Sequence, residues 1–261
     1  MKTIILCGGQ GTRMKEETEF KPKPLVSVGG KPILWHIMKI YSHYGYNEFI
    51  LALGYRGDMI KEYFLNWRTL LNNFTLSTKG NEITFHNNDC DDFKITFVET
   101  GLETLTGERV RILKEYIGNE DFMVTYGDGV ADINLNELID FHKQQGTIGT
   151  ITGVRRDGRF GLLNYHEESK KINDFYQANI ADVTEVQSQD LINGGFMVFK
   201  NEFLNTIKPD TMIEEAFGPL ALRGELSMFE HMGKWKCMDT YKEVEDLNKA
   251  WVNDPFWKIW N

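Results

Sequence analysis

The chain has little of what several protein classes depend on. Among its 261 residues there are only three cysteines and six prolines. Cys7, Cys90 and Cys237 are odd in number, show no CxxC spacing, and do not group with any of the six histidines as zinc ligands would. They read as reduced thiols, which points to a cytoplasmic protein without a disulfide framework. No apolar run approaches the ~18 residues of a membrane span, and the chain opens on a strand-like segment rather than a basic stretch before an apolar core. Neither a membrane nor a signal segment is expected. Lysine and arginine form no block, and with a formal net charge of -9 the dispersed cations disfavour a nucleic-acid partner. A small anionic ligand needs only a local positive pocket.

What is present is organised around the first turn. The run Thr3, Ile4, Ile5, Leu6 leads into Cys7–Arg13, CGGQGTR, where three glycines fall within four residues. A short apolar strand broken in this way reads as a buried strand feeding a tight loop whose backbone N–H groups can close on an anion. Two common glycine fingerprints fail letter by letter. A GxGxxG pattern from Gly9 would need glycine where Met14 stands, and a Walker loop would need Gly, Lys and Ser or Thr at its end. Here the exit carries Arg13 instead, followed by the KPKP run Lys21 to Pro24, whose two prolines restrict the backbone on either side of Lys23. Taken alone, such a loop is equally a strand-to-helix turn that needs positive φ.

Periodicity extends the pattern. Pro32 opens a predicted helix with Ile33, Leu34, Ile37, Met38 and Tyr41 on one face, and Gly45 ends it. Phe49–Leu53 is a continuous apolar run, followed by a predicted helix over 58–70. Residues 72–92 are rich in Asn, Asp and Thr and read as an inserted arm, a lid or a subunit contact. Strand-like runs resume over 94–100 and 122–126, around a helix over 108–116, and a helix over 135–145 precedes a strand over 149–154. From 158 to 200 the pieces shorten into β segments (161–165, 171–176 and 193–199), read as a β-rich acceptor lobe. Helix returns over 212–223, then an edge strand over 226–230, a strand over 235–238 and a last helix and tail over 241–261. Strands alternating with helices argue an α/β fold: one domain over 1–261 with a doubly wound, mostly parallel sheet and ligands at the carboxyl ends of its strands.

Asp128 and Asp239 each end a strand-like run and are followed by a small residue, Gly129 or Thr240. Turn or helix capping explains either one alone. As a pair they can supply the one or two carboxylates that a magnesium ion needs beside nucleotide phosphates. With Lys23, Arg13 and the loop amides, they suggest phosphoryl or nucleotidyl transfer onto a phosphate that is already ionised. No Ser/His/Asp or Cys/His order competes, and His36, His43 and His142 fall in predicted helices as packing or surface residues.

These residues resemble the sugar-phosphate nucleotidyltransferases, and within them the glucose-1-phosphate cytidylyltransferases. The likeness runs from Met1 to about Lys249. It rests on GGQGTR at 8–13, KPKP at 21–24, GGKPILWHIMK at 29–39, ETG at 99–101, TGER at 106–109, TYGDGVAD at 125–132, GRFG at 158–161, INGGF at 192–196 and MDT at 238–240. It implies a Rossmann-like nucleotidyltransferase fold and transfer of CMP from CTP to a sugar phosphate, with release of pyrophosphate and formation of a precursor of surface polysaccharide. It implies that Leu6, Cys7, Gly8, Gly9, Gly11, Thr12 and Arg13 hold the nucleotide together with Gly127 and Asp128. Lys23 would reach phosphate, Asp128 and Asp239 would bind Mg2+, and Thr104 and Arg109 would face the cytosine nucleotide. Arg13, Lys23 and Asp128 would carry catalysis, while Asn193, Gly194, Gly195 and Tyr176 would line the acceptor pocket. A homo-oligomer is the implied assembly; the arm and the aromatic tail Trp251, Phe256, Trp257 and Trp260 are candidate interface, the alternative for the tail being packing onto its own last helix.

One departure stands out. Where the family carries Glu-Lys-Pro after an apolar strand, this chain reads Gln177, Ala178, Asn179. Loss of a charge-assisted bond to the acceptor phosphate weakens binding by roughly one to two powers of ten unless another cation, such as Arg155, Arg156 or Arg159, substitutes. Glucose 1-phosphate is the first choice of acceptor. A smaller polyol phosphate such as glycerol phosphate is the alternative, and a nucleotide-binding module without chemistry is the reading from another class.

Overall fold

The computed structural model describes residues 1–14, 18–155, 162–165, 169–176 and 191–260, with Arg13, 162–165 and 173–176 described as backbone. Its centre is the strand Lys2–Leu6, parallel to Glu48–Leu53 on one side and to Phe122–Tyr126 on the other. Lys94–Glu99 adds a further parallel strand beyond Glu48–Leu53. Strands covered on both faces read as near-continuous apolar runs, and the middles of the three central ones do, as Ile4–Leu6, Phe49–Leu53 and Phe122–Val124. Ile5, Leu51 and Met123 join the core on one face, while Ile4, Ile50 and Val124 join the core on the other.

The other half of the sheet is joined antiparallel. Leu191–Phe199 runs against Phe122–Tyr126 in the register Met197↔Val124, and pairs also with Gly149–Arg155 and Leu162–Tyr165. Leu226–His231 lies parallel to Gly149–Arg155. Together the described strands make one nine-stranded sheet. The sequence places Leu191–Phe199 in an appended lobe, whereas the strand lies inside the main sheet. Its burial on both faces explains the difference, because Phe196 and Val198 pack into one core, and Met197 and Phe199 into the other.

Several helices are more broken than periodicity suggests. The segment expected as one helix over 58–70 is two, Gly57–Leu65 and Trp67–Leu71, interrupted where the Asn66 side chain donates to the Glu62 carbonyl. The helix expected over 108–116 starts earlier and divides into Thr106–Ile112 and Lys114–Ile117, since the Gly107 and Glu108 N–H groups bond to the Thr211 carbonyl. Residues 212–223 hold a 3-10 turn, Ile213–Ala216, and a short helix, Phe217–Leu222. In contrast, Leu135–Gln145 is a helix to the residue, capped by the Asn134 side chain and stopped at Gly146, φ 65°. The arm forms an exposed hairpin, Phe74–Ser77 with Glu82–Phe85. Asp91 fastens its far end by accepting from Trp35 Nε1 at 2.8 Å and Lys39 Nζ at 2.6 Å.

The aromatic tail, expected as apolar surface in need of a cover, is instead folded inward. Trp257 is fully buried and Trp260 nearly so. They surround His36, with Trp251 and Trp35 ring centroids at 4.8 and 4.9 Å from its imidazole. His36 donates from Nε2 to the Val28 carbonyl at 2.8 Å, and its Nδ1 accepts from Trp257 Nε1 at 3.2 Å. An imidazole whose Nδ1 accepts a bond cannot also carry a proton there. Burial accordingly pushes its pKa down to about 4, against a weaker opposing effect of the Val28 bond.

That depression fixes a sign. Between about pH 6.5 and 4 the unfolded chain binds a proton that the folded chain refuses, so stability is complete above this window and is lost as pH falls through it. A shift of this size amounts to roughly 3 kcal/mol by pH 4. His142, buried against Thr150, is depressed by burial to the same value and adds to the slope. Thermal melts of the wild type and of His36→Gln, which keeps a donor and an acceptor, are expected to converge in acid, with the variant losing roughly half the pH dependence below 6.5. Parallel curves would contradict this reading of His36.

Candidate active site

The site is assembled at the carboxyl ends of Lys2–Leu6 and Phe122–Tyr126. After Leu6 the backbone continues along the neighbouring strand for one more bond, Cys7 N to Ala52 O at 3.0 Å, before the glycines turn it away. Gly11 adopts φ 61° and leads into the 3-10 turn Thr12–Met14. The Thr18 hydroxyl bonds to the Gly11 and Met14 carbonyls, both at 2.9 Å, and ties off the loop. Tyr55 and Arg56 brace the same region from the next strand end, bonding to the Thr18, Glu19 and Phe20 carbonyls. No local motif marks that brace in the sequence.

Lys23 opens a second 3-10 turn, Lys23–Leu25, immediately after Pro22. Its ammonium lies 2.5 Å from Asp128 Oδ2 and 2.5 Å from Asp239 Oδ1. The two aspartates are remote in sequence, and a small ribbon brings them together. Trp235–Cys237 pairs antiparallel with Gly129–Ala131, and the Met238 N–H bonds to the Asp128 carbonyl at 2.9 Å. Asp239 then sits just before the final helix, Tyr241–Asn253, whose cap is a reciprocal Thr240–Glu243 pair. All three side chains are largely buried, at 14, 25 and 17 % exposure for Lys23, Asp128 and Asp239. Burial alone works against the ammonium, but the two carboxylates outweigh it and hold the Lys23 pKa above its usual range.

A cleft of about 250 Å³ opens beside this triad. It is lined by Leu6, Cys7, Gly8, Gly9, Gly11, Lys23, Thr104, Arg109, Gly127 and Asp128, and also by Pro24, Leu105, Thr106, Tyr126 and Met212. Thr12 belongs to the adjoining turn and is not part of this lining. The side chains of Arg13 and Tyr176 lie outside the described part, as do residues 177–179 and the candidate cations Arg156 and Arg159. Arg155 is exposed at the end of its strand. Burial first, then Asp128, pushes the Cys7 thiol up, and burial does the same to Cys237. Both stay protonated and are not nucleophiles.

Arg109, which lines the cleft, also bonds extensively to the protein around it. The residue is 3 % exposed. Nη1 donates to the Leu53 and Gly101 carbonyls and to the Thr100 hydroxyl, and Nη2 donates to the Gly8 and Leu102 carbonyls. One side chain therefore clamps the glycine loop to the ends of two neighbouring strands. A Cβ at Gly8 would lie 2.2 Å from Nη1, so a side chain there would displace the clamp. Thr104 is likewise held locally, donating to the Thr100 carbonyl at 2.5 Å.

The segment Asn193–Gly195 approaches from the antiparallel half of the sheet. Trp235 Nε1 donates to the Gly194 carbonyl at 2.8 Å, linking this segment to the ribbon that carries Asp239. Asn193 Oδ1 accepts from the Gly195 N–H at 2.9 Å. Gly195, φ 82°, lies against the Tyr126 ring. Sequence reasoning passed over Tyr126, although it directly precedes the GDG turn.

Two carboxylates closing on one cation, with an open cleft beside them, fit a divalent metal whose remaining ligands are phosphate oxygens and water. Among the described residues no group of three or more His, Cys, Asp or Glu side chains is placed to hold a metal. Nor is any described helix long and apolar enough to cross a membrane.

Comparison with known proteins agrees with this geometry. A family model described as nucleotidyl transferase matches residues 2–240. The "Probable glucose-1-phosphate cytidylyltransferase" of Bacillus subtilis (strain 168) is 45% identical over the whole of both chains. The "Glucose-1-phosphate cytidylyltransferase" of Salmonella typhi is 40% identical, again over the whole of both. Among solved structures, HddC from Yersinia pseudotuberculosis has a TM-score of 0.75 at 21% identity, covering 96% of this chain and 99% of that one. A UDP-glucose pyrophosphorylase solved with UDP-glucose has a TM-score of 0.75 at 14% identity, covering 96% of this chain and 98% of its own. At such identities the structural likeness speaks for the fold, and it is the Rossmann-like one. With a family model spanning nearly the whole chain and full-length relatives at 40% and 45% identity, the chain belongs to the nucleotidyl transferase family.

Proposed function

We propose that the protein transfers CMP from CTP to glucose 1-phosphate, releasing pyrophosphate and forming CDP-glucose. The observation that carries the chemistry is the convergence of Lys23, Asp128 and Asp239 at the mouth of a cleft floored by the glycine loop. The choice of CTP and glucose 1-phosphate rests on the names of the two full-length relatives.

In the reaction an acceptor phosphate oxygen forms a bond to the α-phosphorus of CTP, and the bond from that phosphorus to the bridging oxygen of pyrophosphate breaks. The acceptor monoester, with a second pKa of ~6, is already a dianion near neutral pH, so no residue needs to remove a proton. The obstacle is repulsion between anions held close together. Loop amides at Gly8, Gly9 and Gly11 would bind phosphate oxygens, Lys23 would neutralise them, and Arg109 would keep the loop in its binding shape. Asp128 and Asp239 would hold magnesium, which supplies Lewis-acid stabilisation of charge on the departing pyrophosphate.

The test is stoichiometric pyrophosphate release with CTP, magnesium and glucose 1-phosphate, read beside the same assay with glycerol phosphates and with other nucleoside triphosphates. One pyrophosphate per CDP-glucose, with CTP preferred, is the expected result. Turnover on glycerol phosphate alone would move the acceptor to a smaller polyol, and preference for another triphosphate would overturn the cytidylyl assignment.

A further inference from the structure

The cleft has a chemically mixed lining. Toward Lys23 and the glycine loop it presents an ammonium and backbone N–H groups, which suit phosphate. The lining also includes Tyr126, Thr106 and Met212. The Tyr126 hydroxyl donates to Glu214 Oε1 in a short hydrogen bond. Glu214 Oε2 lies 3.4 Å from the Thr106 hydroxyl, which itself accepts from the Ile213 N–H at 3.0 Å. Among the described residues no ion pair compensates Glu214. Its half-buried charge is met by hydroxyl donors alone.

A phenol that donates a hydrogen bond to a carboxylate becomes a better acceptor through its remaining lone pairs. Burial, followed by the neighbouring Glu214 charge, holds its own pKa far above the usual tyrosine value, so the proton stays in place. The ring cannot swing away, because Gly195 closes on one face so tightly that a Cβ there would come within 2.7 Å of Cδ2. Asn193 faces the same phenol. This part of the lining therefore repels phosphate and offers an oriented oxygen to a donor, and it does so beside the Asn193–Gly195 segment.

From this arrangement, and resting on the reading of the chain as a cytidylyltransferase, we propose that Tyr126 determines acceptor specificity: its phenol oxygen accepts from a hydroxyl of the sugar moiety, with Glu214 holding the phenol in place from behind. Glu214 is a positioning residue in this account, acting through Tyr126. The class of acceptor it selects is a polyhydroxylated phosphate ester large enough to reach from Lys23 to Tyr126. The lack of a cation at positions 177–179 then does not leave acceptor affinity without a source.

The experiment is steady-state pyrophosphate release by the full-length wild type, Tyr126→Phe and Glu214→Gln, varying glucose 1-phosphate and CTP in turn. Tyr126→Phe keeps the ring and its packing, so folding is preserved. Its KM for glucose 1-phosphate is expected to rise about tenfold, the worth of one good hydrogen bond to a polar partner. The KM for CTP should stay within about twofold. Glu214→Gln still offers the phenol an acceptor oxygen and should fall between wild type and Tyr126→Phe. An unchanged acceptor KM in Tyr126→Phe would overturn the proposal, and a rise confined to CTP would assign the phenol to the nucleobase instead. Absence of pyrophosphate release in the wild type with every phosphate acceptor is a separate result, since it would overturn the cytidylyltransferase reading itself and this assignment with it.

Discussion

Asp128→Asn is expected to lower kcat for pyrophosphate release by about 10³-fold, the scale seen when a principal charge-stabilising group is removed from a transition state. The substitution keeps the shape of the side chain and removes one of the two negative charges that meet Lys23. A metal seat of two carboxylates then becomes a seat of one, and the ammonium is left closer to Asp239 alone. Asp239→Asn should behave alike, because the ribbon pairing of Cys237 with Gly129 places the two residues as equivalents about one cation. Both carboxylates act through the metal in this account, so CTP binding measured calorimetrically without metal should change by less than about threefold. Turnover of either variant within tenfold of wild type would remove both aspartates from the metal-binding role.

The second large effect is expected at Arg109, and it should appear first in stability. Arg109→Met fills similar volume but strips donors from four carbonyls, those of Gly8, Leu53, Gly101 and Leu102, and from the Thr100 hydroxyl. An unsatisfied buried acceptor costs about 1–3 kcal/mol, and since some of these groups would find water the total should settle near ~3 kcal/mol. A chain of this size then loses about 10 °C in thermal midpoint. At a temperature where the variant is still folded, KM for CTP should rise by about 10²-fold, because the loop amides lose the frame that aims them. Arg109→Lys should not rescue it: a single ammonium cannot span acceptors that a planar fork reaches on two sides. A midpoint within about 2 °C of wild type would show that the clamp contributes little.

Arg109 also illustrates how sequence and structure divide the information. TGER at 106–109 marks the residue as worth attention, but nothing in four letters shows whether a guanidinium faces a ligand or the protein. Its acceptors come from the ends of strands and loops whose nearness is a product of the parallel sheet. Tyr126 is the same case, since its partner Glu214 belongs to a 3-10 turn far along the chain. The tail tryptophans err in the opposite direction. Their clustering suggests exposed apolar surface because local sequence carries no sign of His36, the polar centre they enclose.

Segments whose signals are local are legible in full. Asn134 and Gly146 punctuate the helix Leu135–Gln145 at both ends, and two-sided apolar runs identify the parallel strands around Lys2–Leu6. By itself the sequence determined the α/β class, the glycine loop, the restrained lysine of KPKP and two strand-end aspartates, because each is written in the spacing of neighbouring residues. Only the tertiary structure decided that Leu191–Phe199 lies inside the sheet, that a two-stranded ribbon delivers Asp239 to Asp128, and that Arg109 spends its donors on carbonyls. Those outcomes depend on which strands become neighbours, and strand order is set by burial of both sheet faces across the whole chain rather than by any local run.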